Sequence, residues 1–203
     1  MTGVILAGGE NARIPVLKGF LEVEGDTIIG RSIAVLGRVF EKVVISTNMP
    51  ERYFTLGLAM IGDIREEKCP MTGILSALVA TGEDAIFVVG CDMPFISEKL
   101  VRYVVEEHRA GGAGPGHDAM IPVFRGKKEP LFGIYTKTVI QAMESALRAG
   151  ERRISEMLMG VRVRYVTEDE VRAVDPFGDS FVNVNTVKDY EGVLARLRAS
   201  VAN

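Results

Sequence analysis

The chain has 203 residues, 47% of them hydrophobic and 25% charged, with two cysteines and a formal net charge of −3, a balance that rules out disordered, fibrous and disulfide-stapled classes and fits a soluble globular protein. Its size suits a single domain over residues 1–203 around one well-buried core. The slight acidic excess argues against a broad nucleic-acid surface, and with neither a basic leader nor an apolar run near the roughly 20 residues of a membrane span, the expected setting is the cytoplasm with no membrane partner.

The first pattern is an apolar run over residues 3–7, a strand that breaks into Gly8-Gly9 and then offers Arg13 and Lys18. Glycine lets backbone N–H groups approach phosphate oxygens while spaced cations neutralise the remaining charge, so this is a candidate nucleotide loop. The same glycines also suit a purely steric strand-to-helix turn, and the segment alone leaves both readings open. A helix follows over 28–40, then strands over 42–46 and 58–61 and a helix over 72–80. Asp63, just past the third strand, is either an acceptor for a base or a turn residue.

The run Ala85-Ile86-Phe87-Val88-Val89 reads as a buried strand and empties into Gly90-Cys91-Asp92-Met93-Pro94. A carboxylate there could hold Mg²⁺ against a triphosphate, because Mg²⁺ takes one or two carboxylates plus phosphate oxygens and water; the competing account is a turn-forming Asp before Pro94. Ser97 is placed to cap a helix over 97–109. This βα alternation predicts an α/β fold with a mostly parallel central sheet and helices on both faces, binding its ligands beyond the carboxyl ends of the strands.

Residues 111–116, glycine-rich and without a cation, read as a surface connection. Strands over 119–124 and 130–135 flank the polar turn Arg125-Gly126-Lys127-Lys128, a helix over 138–149 is closed by Gly150, a strand covers 162–166 and a terminal helix 187–197. In Phe181-Val182-Asn183-Val184-Asn185-Thr186, Asn183 and Asn185 share a side if the segment is extended; an asparagine turn with Thr186 capping the last helix is the other account. Arg152-Arg153 could clamp an anion or simply begin a solvated helix. His108 and His117 read as surface residues, Cys69 and Cys91 lack metal-ligand spacing, and with no Ser-His-Asp or Cys-His order covalent catalysis is not expected.

Several of these pieces occur together and in order: Leu6-Ala7-Gly8-Gly9 with Arg13 and Lys18, Cys69-Pro70-Met71-Thr72-Gly73-Ile74-Leu75, Cys91-Asp92-Met93-Pro94-Phe95, Ala149-Gly150-Glu151-Arg152-Arg153 and Phe181 to Thr186. So arranged, the chain resembles the molybdenum cofactor guanylyltransferases. The resemblance implies a Rossmann-like, three-layer nucleotidyltransferase fold, Mg²⁺ as cofactor, GTP and molybdopterin or molybdenum cofactor as substrates, and cofactor-delivery proteins and molybdoenzymes as partners, with no role for nucleic acid. Leu6, Ala7, Gly8, Gly9, Arg13, Ser46 and Asp63 then fall at nucleotide positions, Lys18 neutralises charge at the α-phosphate, Asp92 binds Mg²⁺ and GTP, and Asn183 and Asn185 face the pterin.

Three departures stand out. Ile14-Pro15 replaces the family's usual Met-Gly, Leu17 replaces an Asp, and Ser46 stands where an Asn contacts the nucleotide, with Asn48 two residues on. Proline lacks an amide donor and cannot take glycine's positive φ, so the loop must reach Lys18 by another path. Two alternatives follow: a cytidylyl- or sugar-phosphate nucleotidyltransferase of the same fold, against which Ala7-Gly8-Gly9 speaks, and a non-catalytic adaptor that binds nucleotide or molybdopterin without turnover. A dehydrogenase does not fit, because the first loop lacks the Gly-x-Gly-x-x-Gly order.

Overall fold

A computed structural model describes residues 1–8, 17–111 and 116–201. The apolar runs become strands of one sheet: β1 (Thr2–Leu6), then, after a two-residue hairpin of β2 (Glu22–Val23) and β3 (Asp26–Thr27) and helix α1 (Ile28–Gly37), β4 (Val43–Ser46) and β5 (Ala59–Ile61). Helix α2 (Pro70–Thr81) leads to β6 (Ala85–Gly90), α3 (Glu98–Ala110), β7 (Ala119–Phe124), β8 (Lys127–Lys128) and β9 (Phe132–Thr136). The chain ends through α4 (Ile140–Arg148), α5 (Ile154–Met157), β10 (Val163–Val166), α6 (Glu168–Val174) and α7 (Val187–Val201).

The sheet order is β10-β7-β9-β6-β1-β4-β5, with β8 paired to β7. Strands β5, β4, β1 and β6 run parallel, while β9 is antiparallel to both its neighbours. The mostly parallel α/β sheet expected from the alternation is therefore present, with β9 and β8 as the exceptions. Because β1 is followed on one side by β4 and β5 and the chain then crosses to place β6 on the other side, the order reverses between β1 and β6. In open α/β sheets that reversal leaves a crevice beyond the strand ends.

Alternate side chains of the parallel strands feed two apolar layers, by the two-residue period of extended chain. Ile5, Ile45, Phe87 and Val89 pack with α1 and α3 through Ile29, Leu36, Leu100 and Val104. Val4, Val44, Ile86 and Val88 pack with α2 and α4 through Ile74, Leu75, Met143 and Leu147. The β2–β3 hairpin and α7 share a third, smaller cluster of Val23, Ile28, Val184 and Val193.

Local signals explain the boundaries. Ser97 caps α3 by accepting from Leu100 N at 3.4 Å, as its position suggested. Helix α2 begins two residues before the expected start because Pro70 sits in its first turn, where a missing N–H costs nothing. Expected strand 130–135 begins at Phe132, and Lys127–Lys128 pairs back onto Val123–Phe124 around Arg125 and Gly126, both at positive φ. His108 and His117 are half-buried rather than plain surface residues, their rings joined by a 3.0 Å Nδ1–Nε2 hydrogen bond. Residues 112–115 of the expected glycine-rich connection lie outside the described residues.

Candidate active site

Strands β1 and β6 end side by side, Leu6 in register with Gly90. The chain leaving β6 is tied back to β1, Cys91 N donating to Leu6 O at 3.1 Å, while Ala7 N donates to Ser46 O at 2.9 Å and so joins the β1 exit to β4. The two loops read from the sequence as the amino-terminal turn and the acidic turn thus meet at the switch between β1 and β6. Of the residues expected on the first loop, Leu6 and Ala7 are buried and Gly8 is exposed, whereas Gly9, Arg13, Ile14 and Pro15 lie outside the described residues.

Lys18 and Asp92 face one another at this point, Lys18 Nζ lying 3.9 Å from Asp92 Oδ2. The same ammonium donates to Asn185 Oδ1 at 2.7 Å, so three residues far apart in sequence converge. The Asp92 backbone reinforces this by accepting from Val184 N at 2.9 Å. Burial pushes the Asp92 carboxyl above the ordinary carboxylate range, with Lys18 pulling it partly back; burial likewise pushes the Cys91 thiol up to about 12, which leaves it an unreactive thiol. A Cβ on Gly90 would stand 2.8 Å from Asp92 Oδ1, so a side chain there would push the carboxylate aside.

Asn185 enters the site, and the start of α7 holds it there. Its N–H and that of Thr186 both donate to Asp189 Oδ2, at 2.9 and 2.8 Å, while Asp189 N donates to Thr186 Oγ1 at 3.2 Å. These bonds cap the helix reciprocally, as the turn reading of Thr186 expects, and leave the Asn185 amide oxygen facing Lys18. Asn183 is half-buried and commits its amide to Phe181 O at 3.0 Å.

On the other side of β1, the ends of β4 and β5 carry a second polar group. Ser46 is buried, its Oγ donating to Gly73 O at 3.4 Å, and the exposed amide on this edge belongs to Asn48. Asn48 Nδ2 donates to Asp63 Oδ2 at 2.5 Å and Asp63 N donates to Asn48 Oδ1 at 2.8 Å. Burial raises the Asp63 carboxyl and the Asn48 amide offsets part of that rise. Asn48 was legible only as the neighbour of Ser46, because its partner stands 15 residues on and only β4–β5 pairing brings the two together. Helix α2 enters close to them: a Cβ on Gly73 would stand 2.9 Å from Ser46 Oγ and 3.9 Å from Asp63 Oδ1.

Of the pair Arg152-Arg153, the second is already engaged by carboxylates. Arg153 is held by Glu151 and Glu156, at 2.9 and 3.4 Å, in front of the short helix α5. Among the described residues no group of three or more His, Cys, Asp or Glu side chains gathers. The donor set at the switch point, one half-buried carboxylate incompletely offset by a single lysine, suits a hard cation that draws its other ligands from phosphate and water.

Comparison with known proteins identifies the family and the fold. Residues 3–166 match the family model described as MobA-like NTP transferase domain. The chain is 38% identical over 198 residues to a probable molybdenum cofactor guanylyltransferase of Pelotomaculum thermopropionicum, covering 98% of this chain and 93% of the relative. It is 30% identical over 200 residues to a molybdenum cofactor guanylyltransferase of Desulfosudis oleivorans, covering 98% and 96%. In fold it is similar to the crystal structure of molybdopterin-guanine dinucleotide biosynthesis protein A of Archaeoglobus fulgidus, with a TM-score of 0.83 and 24% identity over 98% of this chain and 100% of that one.

Proposed function

The chain belongs to the MobA-like NTP transferases, and we propose that it is a guanylyltransferase that moves GMP from GTP onto the terminal phosphate of molybdopterin and releases pyrophosphate. The names of its relatives support guanylyl over cytidylyl or sugar-phosphate transfer. The observation that carries the residue assignment is the convergence of Lys18, Asp92 and Asn185 where β1 and β6 part.

Nucleotidyl transfer asks for an in-line approach and for stabilisation of spreading negative charge, with little covalent chemistry from the protein. The attacking group is a phosphate oxygen that is already ionised, so no general base is needed. Lys18, oriented by Asn185, places a point charge where the α-phosphate passes, and the exposed Gly8 at the end of the β1 turn lets phosphate approach the backbone. Asp92 would hold Mg²⁺, which when bound offsets charge on the phosphate oxygens. Asn48 follows β4, the neighbour of β1, and Asp63 follows β5, two strands from β1 and roughly 10 Å away at about 4.8 Å per strand, a span that suits a base whose phosphates sit at the switch point. The Asp63 carboxylate there matches the amino and imino donors of guanine.

The test is pyrophosphate release with GTP, Mg²⁺ and molybdenum cofactor. Release that requires both substrates is expected; release with CTP in place of GTP at equal rate, or none with either, would overturn the assignment. For the described residues, no helix is long and apolar enough to cross a membrane.

A further inference from the structure

The product of guanylyl transfer carries a purine at one end and a pterin at the other, and both heterocycles present the same amino-pyrimidinone edge, two N–H donors side by side. One carboxylate, Asp63, stands on the β4–β5 side of the switch point. A second stands on the opposite side. Glu129 lies between β8 and β9, beyond the carboxyl ends of β6 and β7. The segment is fixed by its backbone, with Glu129 N donating to Pro122 O at 2.9 Å, Phe132 N to Glu129 O at 3.0 Å, and Gly90 N to Leu131 O at 3.0 Å. The last bond joins it to the loop that carries Asp92.

The Glu129 side chain is half-buried, yet among the described residues its carboxylate accepts no hydrogen bond and pairs with no cation within ion-pair distance. Burial pushes its carboxyl up to about 6, with Lys127 pulling the other way. A partly desolvated carboxylate that solvent still reaches and that no protein group occupies is open to the donors of a ligand, and the strand order sets it across the switch point from Asp63. We propose that Glu129 is the specificity residue of the acceptor half, its two oxygens accepting the paired N–H donors of the pterin ring while Asp63 does the same for guanine. The assignment rests on the guanylyl-transfer reading given above.

The test is direct binding of molybdopterin, followed by fluorescence, to the wild-type protein and to Glu129→Gln and Glu129→Asp, with GTP binding followed by thermal shift in the same samples. Loss of a hydrogen-bonded charge of this kind costs about tenfold to a hundredfold in affinity. Glu129→Gln should weaken molybdopterin by that factor with the GTP shift unchanged, and Glu129→Asp should fall between. Competition by 6-hydroxymethylpterin against its lumazine analogue, in which oxo replaces the amino group, should show a preference for the pterin that Glu129→Gln abolishes. Wild-type affinity in Glu129→Gln, a preference that survives it, or no binding of molybdopterin by the wild-type protein would overturn the assignment. A wild-type protein that binds molybdopterin but releases no pyrophosphate from GTP would instead sink guanylyl transfer, and the binding titration would still decide Glu129.

Discussion

In the proposed reaction Lys18 is the central residue, because its ammonium lies between the side chains of Asn185 and Asp92. Its ammonium is shared between Asn185, which fixes its direction, and Asp92, which is too far at 3.9 Å to quench it fully. Preorganised charges aimed at a developing oxyanion are worth about 10²–10³ in rate each, so Lys18→Ala and Asp92→Ala should each lower kcat for pyrophosphate release by that factor with an unchanged circular-dichroism spectrum. On the proposed reading Asn185 acts through Lys18, to which it is hydrogen-bonded. Removing one exposed hydrogen bond costs roughly 1 kcal/mol, so Asn185→Ala should lower kcat about fivefold and leave the KM for GTP in place. A change confined to the acceptor KM would make Asn185 a pterin contact instead of an orienting residue.

The strand and helix ends are held by a few buried ions, and Asp118 is the clearest of them. It opens β7 and receives Arg162 through the backbone N–H at 2.9 Å and through the guanidinium at 2.9 and 3.2 Å, together with Thr138 Oγ1 at 2.6 Å. These bonds tie β7 to β10 and to the turn before α4. The Arg162 hydrogen bonds hold the Asp118 carboxyl well below the usual carboxylate range, which burial only partly opposes. A carboxyl with a depressed folded-state pKa stabilises above its ordinary value of about 3.9, and the contribution fades as pH falls below that. Asp118→Asn should therefore cost about 2 kcal/mol at pH 7 by urea denaturation, and the gap between variant and parent should narrow below about pH 4.

Much of this layer was legible in the sequence. The apolar runs placed β1, β4, β6 and β7 to within a residue or so because strands covered on both faces leave no polar positions to blur the pattern. Helix α6 has an equally readable start: Thr167 and Glu170 form a reciprocal cap, the spacing of which is plain in Thr167-Glu168-Asp169-Glu170. The β2–β3 hairpin was not readable by periodicity, since its strands have two residues each, although the positive φ of Glu24 and Gly25 makes a tight turn there. Lys18, Asp92 and Asn185 carried chemical signals of their own. Asn48 and Glu129 carried none, because each acquires its meaning only from strand pairing, β4 with β5 and β6 with β9.

The same pairing sets the division of the cleft. Strands β1, β4 and β5 form one wing and β6, β9 and β7 the other, with the residues proposed to handle phosphate on the line between them. A ligand that spans only one wing stabilises only the folded cleft it touches. GTP with Mg²⁺ present at about a hundred times its dissociation constant adds roughly 2.7 kcal/mol, which for a chain of this size corresponds to roughly 5–10 °C in Tm. CTP, ATP and UTP share the triphosphate but lack guanine's paired donors for Asp63, so they should give smaller shifts at equal concentration. Asn48→Ala removes the amide that aims the Asp63 carboxylate, and Asp63→Ala removes the acceptor itself. Both variants should bring the GTP shift down to that of the other nucleotides without lowering those. Equal shifts for all four nucleotides in the wild-type protein would place the base outside this wing, and an undiminished preference for GTP in Asp63→Ala would assign its recognition to other groups.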